Sequence, residues 1–314
     1  MYVLGLDIGG TKCAAVTAEV FGDKIEILKR AEIKTDTKIS ADVLLDVLLA
    51  EADKILTKRP DSVGISCGGP LDSGTGVIIA PPNLPNFRNF PIVKIVSERY
   101  SVPVKLQNDA NACALAEWRF GAGRGTKNMV FLTFGTGLGA GLILNGVLYE
   151  GTNGNAGEVG HIRLSPCGPV GFGKEGSFEG FCSGGGIAQL GKMMTDEALE
   201  RGITPSYYRE GMEDGEISAR LLAEHAGLGD PTAISVYKKC GDYLGRGLSV
   251  IIDILNPERI VIGSIFARSS ELLVPSMKES LNREALGVSA DCCEIVPAEL
   301  GESIGDVAAI AVGI

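Results

Sequence analysis

The chain has 314 residues, 45% of them apolar and 22% charged, which suits a soluble globular protein long enough for two packed lobes. Its net charge of −10 argues against a nucleic-acid partner, which needs a basic face, but leaves room for a nucleotide held by backbone N–H groups. No apolar run nears the roughly 20 residues that cross a bilayer, and MYVLGLDIGGTK lacks the basic and long apolar regions of a secretion signal, so a cytoplasmic protein without membrane partners is expected.

The first 35 residues predict three strands, YVLGLDI, KCAAVTAEV and KIEILKRAEI, turning at Gly9-Gly10 and Gly22-Asp23. Apolar residues at helical spacing predict a helix from Ala41 to Thr57. Strand SVGISC, a Pro/Gly/Asn-rich loop from Gly68 to Asn89, and a helix near Ile92–Tyr100 follow. Strand PVKLQ then runs into NDAN and a helix over Ala110–Phe120. The glycine-rich GAGRGTKN reads as a connection between lobes, with Gly121–Gly125 its flexible part. Beyond it the pattern restarts as strand, glycine-rich turn, strand, an Asn145-Gly146 hairpin turn and another strand. Helices over Glu213–His225 and Thr232–Leu255, strand ERIVIG, helix Ser270–Glu284, strand CEIVPA and a short helix Ile304–Val312 complete the reading. The predicted division is an N-terminal α/β lobe over 1–120, completed by the C-terminal helix 301–314, and a larger α/β lobe over 121–300. The eight cysteines form no CxxC pair and read as free thiols.

Four segments carry chemistry. DIGGTK (Asp7–Lys12) sets a carboxylate at a strand end before two glycines and a hydroxyl, a set that suits phosphate and a water-bridged Mg²⁺. FGTGLGAG (Phe134–Gly141) bares the backbone on one face, yet it is neither a Walker A loop nor GxGxxG. NDAN (Asn108–Asn111) lies between a strand and a helix, where α/β proteins place catalytic groups. GNAGEVGH (Gly154–His161) offers Glu158 and His161 to hydroxyls. Each has a plain structural alternative: a hairpin turn, a bulged hairpin, a helix cap at Asp109 and a structural histidine.

Their joint order is specific. With GISCGGPLD, PPNLPNF and NDANACALAEWRFGAG, and more loosely IVIGSIF and GESIGDVAAIAVG, the motifs resemble the ROK family of bacterial sugar kinases and sugar-responsive repressors. The resemblance implies an actin-like ATPase (ribonuclease-H-like) α/β fold with two lobes around a central cleft, and an ATP- and Mg²⁺-dependent, glucokinase-like transfer of phosphate to a hexose, at the 6-hydroxyl. It implies nucleotide contacts at Asp7, Gly9, Gly10, Thr11, Lys12, Thr136, Gly137 and Gly263. Sugar contacts map onto Gly69, Asn83, Asn108, Glu158, His161 and Glu179, with Asp109 as the catalytic base. A homodimer is implied as well.

One element departs from the family. Its zinc motif, CxCGxxGCxE, aligns with residues 170–179, keeping Gly173, Gly176 and Glu179 but replacing the cysteines by Val170, Phe172 and Ser177. Those side chains supply at most one weak zinc ligand, so no structural zinc is expected and His161 is expected to be oriented by protein hydrogen bonds. Competing expectations are an N-acetylmannosamine or N-acetylglucosamine kinase, a non-catalytic sugar-sensing ROK protein, and an acetate-kinase or glycerol-kinase type. The repressor reading wants a helix-turn-helix ahead of DxGGT, where Asp7 leaves no room.

Overall fold

The computed structural model describes residues 1–314, apart from the Asp214 side chain. The elements in chain order are β1 (Tyr2–Ile8), β2 (Lys12–Phe21), β3 (Lys24–Lys34), α1 (Ala41–Ile55), β4 (Ser62–Cys67), β5 (Leu71–Asp72), β6 (Val77–Ile78), α2 (Ile92–Tyr100), β7 (Val104–Asn108), α3 (Asp109–Phe120), β8 (Met129–Phe134), β9 (Leu138–Leu144) and β10 (Val147–Leu148). The chain continues through β11 (Val170–Gly171), β12 (Lys174–Glu175), α4 (Phe178–Phe181), α5 (Gly184–Glu200), α6 (Ala219–Gly227), α7 (Pro231–Leu255), β13 (Arg259–Ile262), α8 (Ile265–Glu284), α9 (Gly287–Ala290), β14 (Glu294–Pro297) and α10 (Ile304–Val312). Two compact units result, one of Met1–Phe131, Gly141–Ala156 and Glu299–Ile314, the other of Leu132–Ala140 and Gly157–Ala298.

The first unit is built on a sheet of order β3-β2-β1-β4-β7. β1 pairs antiparallel with β2 and parallel with β4, and β4 pairs parallel with β7. β1 runs apolar because both its faces are covered. Leu4, Leu6 and Ile8 join a core with Leu44, Leu45, Leu48 and Leu49 of α1, while Val3 joins Ala112, Ala116, Val307 and Ile310 of α3 and α10 on the other face. Gly64 makes that second layer fit: a Cβ there would strike the Ala309 carbonyl and the Gly313 nitrogen of α10. The edge strand β3 is largely exposed and carries Lys24, Lys29, Arg30 and Lys34, charges that discourage pairing with another edge. α1 starts where the Ser40 hydroxyl accepts the Val43 N–H, and it stops at Ile55, two residues short of the predicted end, as Leu56 turns extended.

The predicted lobes and the two compact units differ over 121–131, 141–156 and 299–300. The GAG turn is fastened to α3: Gly121 and Gly123 N–H donate to the Glu117 carbonyl, and Ala122 N–H donates to its carboxylate at 2.8 Å. The buried Glu117 carboxylate also accepts the Glu299 and Leu300 N–H groups at 3.2 and 2.9 Å, tying the C-terminal segment to the same helix.

In the second unit β13 and β14 run parallel, and helices α5 to α8 pack against one another. α7 begins with Asp230 as cap and Pro231 in its first turn, a pre-organised start, and buries Leu244, Leu248, Ile251 and Ile252. The sequence reading places no helix at Gly184–Glu200, where α5 lies, starts α6 at Glu213 and starts α8 at Ser270. α8 begins five residues earlier at Ile265 and is kinked at Ser269, whose φ/ψ leaves the helical region.

Candidate functional site

Parallel pairing brings the first unit's motif residues together. The C-terminal ends of β1, β4 and β7 share one edge of the sheet, with Asp7 opposite Ser66 and Cys67 opposite Asn108. β1 delivers Asp7 to that edge, β4 opens into Gly68 and Gly69, and β7 ends at Asn108. A Cβ on Gly69 would lie 3.2 Å from Asn108 Nδ2, and one on Gly68 3.9 Å from Asp109 Oδ2.

Asn108, rather than Asp109, is the cap of α3: its Oδ1 accepts the Ala110 N–H at 2.9 Å. Asp109 Oδ1 shares that donor at 2.8 Å, while Oδ2 accepts no hydrogen bond among the described residues. The Asp109 carboxyl touches solvent on one side and has protein on the others, and this desolvation raises its pKa above the ordinary carboxylate range against the opposing pull of the Ala110 N–H. Burial, reinforced by the negative charges of Asp109 and Asp306, pushes Asp7 up to about 6. Ser66 and Lys12 pull it the other way. Lys12 is the weakest of these influences, so burial and the two neighbouring carboxylates dominate. Among the described residues no group of three or more His, Cys, Asp or Glu side chains is set to hold a metal.

The turn between β1 and β2 is closed by the Gly9 N–H donating to the Lys12 carbonyl at 3.1 Å. A Cβ on Gly10 would fall 2.7 Å from Asn83 Cβ, so only glycine lets the 81–87 loop approach this turn. Thr11 is exposed, and Lys12 pairs with Glu32 at 3.1 Å across the hairpin.

The second unit gathers Thr136, Gly137, Glu179 and Gly263. Gly135 N–H donates to the Gly137 carbonyl at 3.1 Å, its own carbonyl accepts Gly184 N–H at 2.7 Å, and Gly263 N–H donates to Leu132 at 3.0 Å. A Cβ on Gly135 would sit 3.7 Å from Ser264 Oγ, just ahead of α8. The starts of two long helices, α5 and α8, therefore adjoin the Thr136–Gly137 turn, and helix starts favour anions. Glu179 Oε2 accepts the Leu138 N–H at 3.0 Å, and a Cβ on Gly137 would come within 2.8 Å of that oxygen. Glu158 and His161 bracket a short 3-10 turn whose Gly160 packs against the Leu138 carbonyl and Glu179 Cβ.

Val170 and Phe172 fall on the hairpin β11–β12, and Ser177 follows it. The Ser177 hydroxyl accepts Gly180 N–H at 3.0 Å and so caps α4. Gln189 of α5 pins Val170 through both its N–H and its carbonyl at 2.9 Å. Phe172 and Gly173 both have positive φ, 43° and 74°, as a two-residue type I′ turn requires. The expectation that hydrogen bonds orient the His161 ring is corrected. Its nitrogens have no hydrogen-bond partner among the described residues, and the ring instead meets Phe172 edge-on at 6.3 Å. Phe172 offers no donor or acceptor. Lys174 Nζ holds only the His161 carbonyl, at 2.7 Å.

Sequence reasoning missed three contributors. Thr35 bonds the carbonyls of the Gly9–Lys12 turn. Gln107 accepts Asn108 N–H at 2.8 Å and Asn111 Nδ2 at 3.1 Å, while donating to Glu150 at 3.0 Å. Ser183 caps α5 beside the second glycine turn. Ser183 alone had a signal, as a serine preceding three glycines.

Of the predicted site residues and these three contributors, only Gln107 lines either of two cavities in the first unit. Among the described residues no helix is long and apolar enough to cross a membrane.

The ROK family profile matches residues 3–312. A glucokinase of Halalkalibacterium halodurans is 34% identical over 313 residues, covering 97% of this chain and 92% of its own. Among solved structures, a ROK family glucokinase from Streptomyces griseus in complex with glucose and AMPPNP superposes with a TM-score of 0.77 at 29% identity, over 100% of this chain and 99% of that one. A ROK family transcriptional regulator, a homolog of the E. coli MLC protein, superposes at 0.85 and 27% identity, over 99% of this chain and 77% of that one. The chain belongs to the ROK family, with the actin-like ATPase (ribonuclease-H-like) α/β fold, as a member whose zinc-motif cysteines are Val170, Phe172 and Ser177.

Proposed function

We propose that the chain is an ATP-dependent hexose kinase, glucokinase-like, that transfers the γ-phosphoryl group of ATP to a sugar hydroxyl, by family analogy the 6-hydroxyl. The observation that carries this reading is the placement of Asp7 at the end of β1 and Asp109 just after β7, on either side of β4 at the same end of the parallel strands, with Asn108 sharing the capping of α3. The glucokinase relative and the neighbour solved with glucose and AMPPNP support the same substrates.

Phosphoryl transfer asks a protein for position and charge stabilisation more than covalent chemistry. Asp109 Oδ2 takes the proton of the attacking hydroxyl as the new O–P bond forms and ADP leaves. Its raised pKa brings it nearer the working pH, which improves a general base. Asn108 and Gly69 hold neighbouring sugar hydroxyls, and Asn83, Glu158, His161 and Glu179 are further proposed sugar contacts. Gly9, Gly10, Thr11 and Lys12, with Thr136, Gly137 and Gly263, take the nucleotide through bare backbone and N–H donors. Lys12 has to exchange Glu32 for phosphate. Asp7 would hold Mg²⁺, which would supply charge neutralisation at the phosphates when bound. A cytoplasmic homodimer is part of the same proposal.

Coupling ADP release to a spectrophotometric readout across glucose, mannose, fructose, allose, N-acetylmannosamine and N-acetylglucosamine tests the proposal. Glucose is expected to give the highest kcat/KM. Turnover confined to an N-acetylhexosamine would reassign the substrate. Sugar binding without any ADP formation would favour the non-catalytic sensor, the reading that the likeness to the regulator supports.

A further inference from the structure

Arg119, in the last turn of α3, is half-buried and has no ion pair or hydrogen bond among the described residues. It lines two cavities of the first unit. One, of about 430 Å³, lies against Gly22, Asp23, Trp118 and Thr126. The other, of about 420 Å³, adds Lys105, Ser73, Thr75, Gln107 and Glu150 to an apolar floor. Removing a guanidinium from water without a counter-charge is costly, and here burial lowers its pKa with no carboxylate near enough to oppose the shift. Glu150 is engaged elsewhere, accepting the Ser73 hydroxyl at 2.5 Å and Gln107 Nε2 at 3.0 Å. The second cavity sets a bare arginine and a second cation opposite the Glu150 carboxylate, with the Ser73 and Thr75 hydroxyls turned to Glu150 and Asp72, and its cationic end is matched by an anion of modest size.

We propose that the cavity beside Arg119 and Lys105 is a second ligand site, taking a phosphate-bearing small molecule of the sugar-phosphate class. Arg119 grips the phosphate, and Glu150 and Ser73 meet hydroxyls at the other end. Lys105 currently donates to the Ile314 carbonyl at 2.9 Å and would turn to the ligand. The site is linked to the chemistry through a short relay. Glu150 holds Gln107, whose Oε1 holds the Asn108 N–H, next to Asp109. A ligand that draws on Glu150 therefore alters the support of the base, so product-class molecules regulate the enzyme from outside its substrate site. The regulatory half rests on the kinase reading; the binding half does not.

Calorimetric titration with glucose 6-phosphate, and separately with inorganic phosphate, tests the site on the full chain kept in saturating glucose. Binding that persists under glucose and weakens at least tenfold in Arg119→Met, with kcat unchanged at saturating substrates, is the expected result. Lys105→Gln should weaken it less. Phosphate binding alone would retain the anion site and narrow the ligand. Equal affinity in wild type and both variants, or no binding of either probe, overturns the proposal. Because calorimetry does not need turnover, a failed kinase assay leaves this result interpretable.

Discussion

The Thr35 hydroxyl donates to the Gly9 carbonyl at 2.6 Å, and the Thr35 backbone N–H donates to the Thr11 carbonyl at 3.0 Å. One buried residue just beyond β3 thus fixes both sides of the Gly9–Lys12 turn, with Cys13 Sγ 3.3 Å from the same hydroxyl. Thr35→Val keeps the backbone bond and the shape but leaves Gly9 C=O with only the weaker Cys13 Sγ donor at 3.7 Å. A loss of about 1–2 kcal/mol in stability is expected, with a KM for ATP raised roughly 5- to 20-fold and a smaller effect on the sugar KM. Thermal melts and Michaelis curves for both substrates measure this; equal effects on the two KM values would remove Thr35 from the nucleotide side.

Asp7 sets activity against stability. Its folded pKa of about 6 lies above the ordinary carboxylate value, so the native chain binds that proton more tightly than the unfolded one. The stability contributed is fully present below about pH 4 and is lost as pH rises through about 6. Moving a carboxyl this far corresponds to roughly 3 kcal/mol. Asp7→Asn removes the strain: the variant should melt higher than wild type at pH 7.5, approach it at pH 4, and have little kinase activity. Denaturant unfolding at the two pH values checks the sign; a variant less stable at pH 7.5 contradicts it.

Burial raises both carboxyls, and the charge of Asp109 adds to the shift at Asp7. Below about pH 6 the cation ligand Asp7 is neutral, and burial of Asp109 raises its pKa in the same direction. The kcat/KM of the kinase reaction should therefore fall as pH drops through about 6, with added Mg²⁺ shifting the descent to lower pH. A profile flat down to pH 4.5 would contradict this.

Phe172 occupies a left-handed conformation, φ 43°, that a bulky side chain adopts at a cost of about 1–2 kcal/mol. It is 82% exposed, so packing does not offset that cost. Phe172→Asn gives the turn an Asn-Gly pair and should stabilise the protein by about 1 kcal/mol. The same change removes the edge contact to His161, so sugar KM should rise while kcat holds. Unchanged KM would mean that the ring contact does not order His161.

Glu179 ties the residues aligned with the zinc motif to the second glycine turn through Leu138 N–H. Glu179→Ala should cost roughly 10- to 100-fold in kcat/KM, as loss of a hydrogen bond to a charged group implies, and Glu179→Gln less. Identical losses in the two variants would point to charge alone.

The sequence announced the first unit well because its signals are local and its order fixed. An apolar strand buried on both faces, two glycines and a carboxylate at Asp7–Lys12 read directly as a strand and turn. α5 stayed hidden because it opens with Gly184, Gly185 and Gly186, which read as loop. A Cβ on Gly186 would strike the Gly180 carbonyl, so tertiary packing selects glycine against helix propensity. The early start of α8 was masked by Ser264 at φ 58° and the break at Ser269. Thr35 and Gln107 gave no signal, since their roles depend on partners 26 and 43 residues away. The exchange of hydrogen bonds for an aromatic contact at His161 was equally invisible, because nothing in a one-dimensional pattern says which ring a turn presents.

Asp109→Asn tests the central claim most directly. The variant keeps the size of the side chain and an oxygen for Ala110 N–H, but it cannot accept the hydroxyl proton. With glucose binding followed by calorimetry and turnover by ADP release, glucose affinity within about threefold of wild type is expected, with kcat reduced on the order of 10²- to 10⁴-fold. A variant that turns over glucose at near the wild-type rate would contradict the assignment of Asp109 as the base.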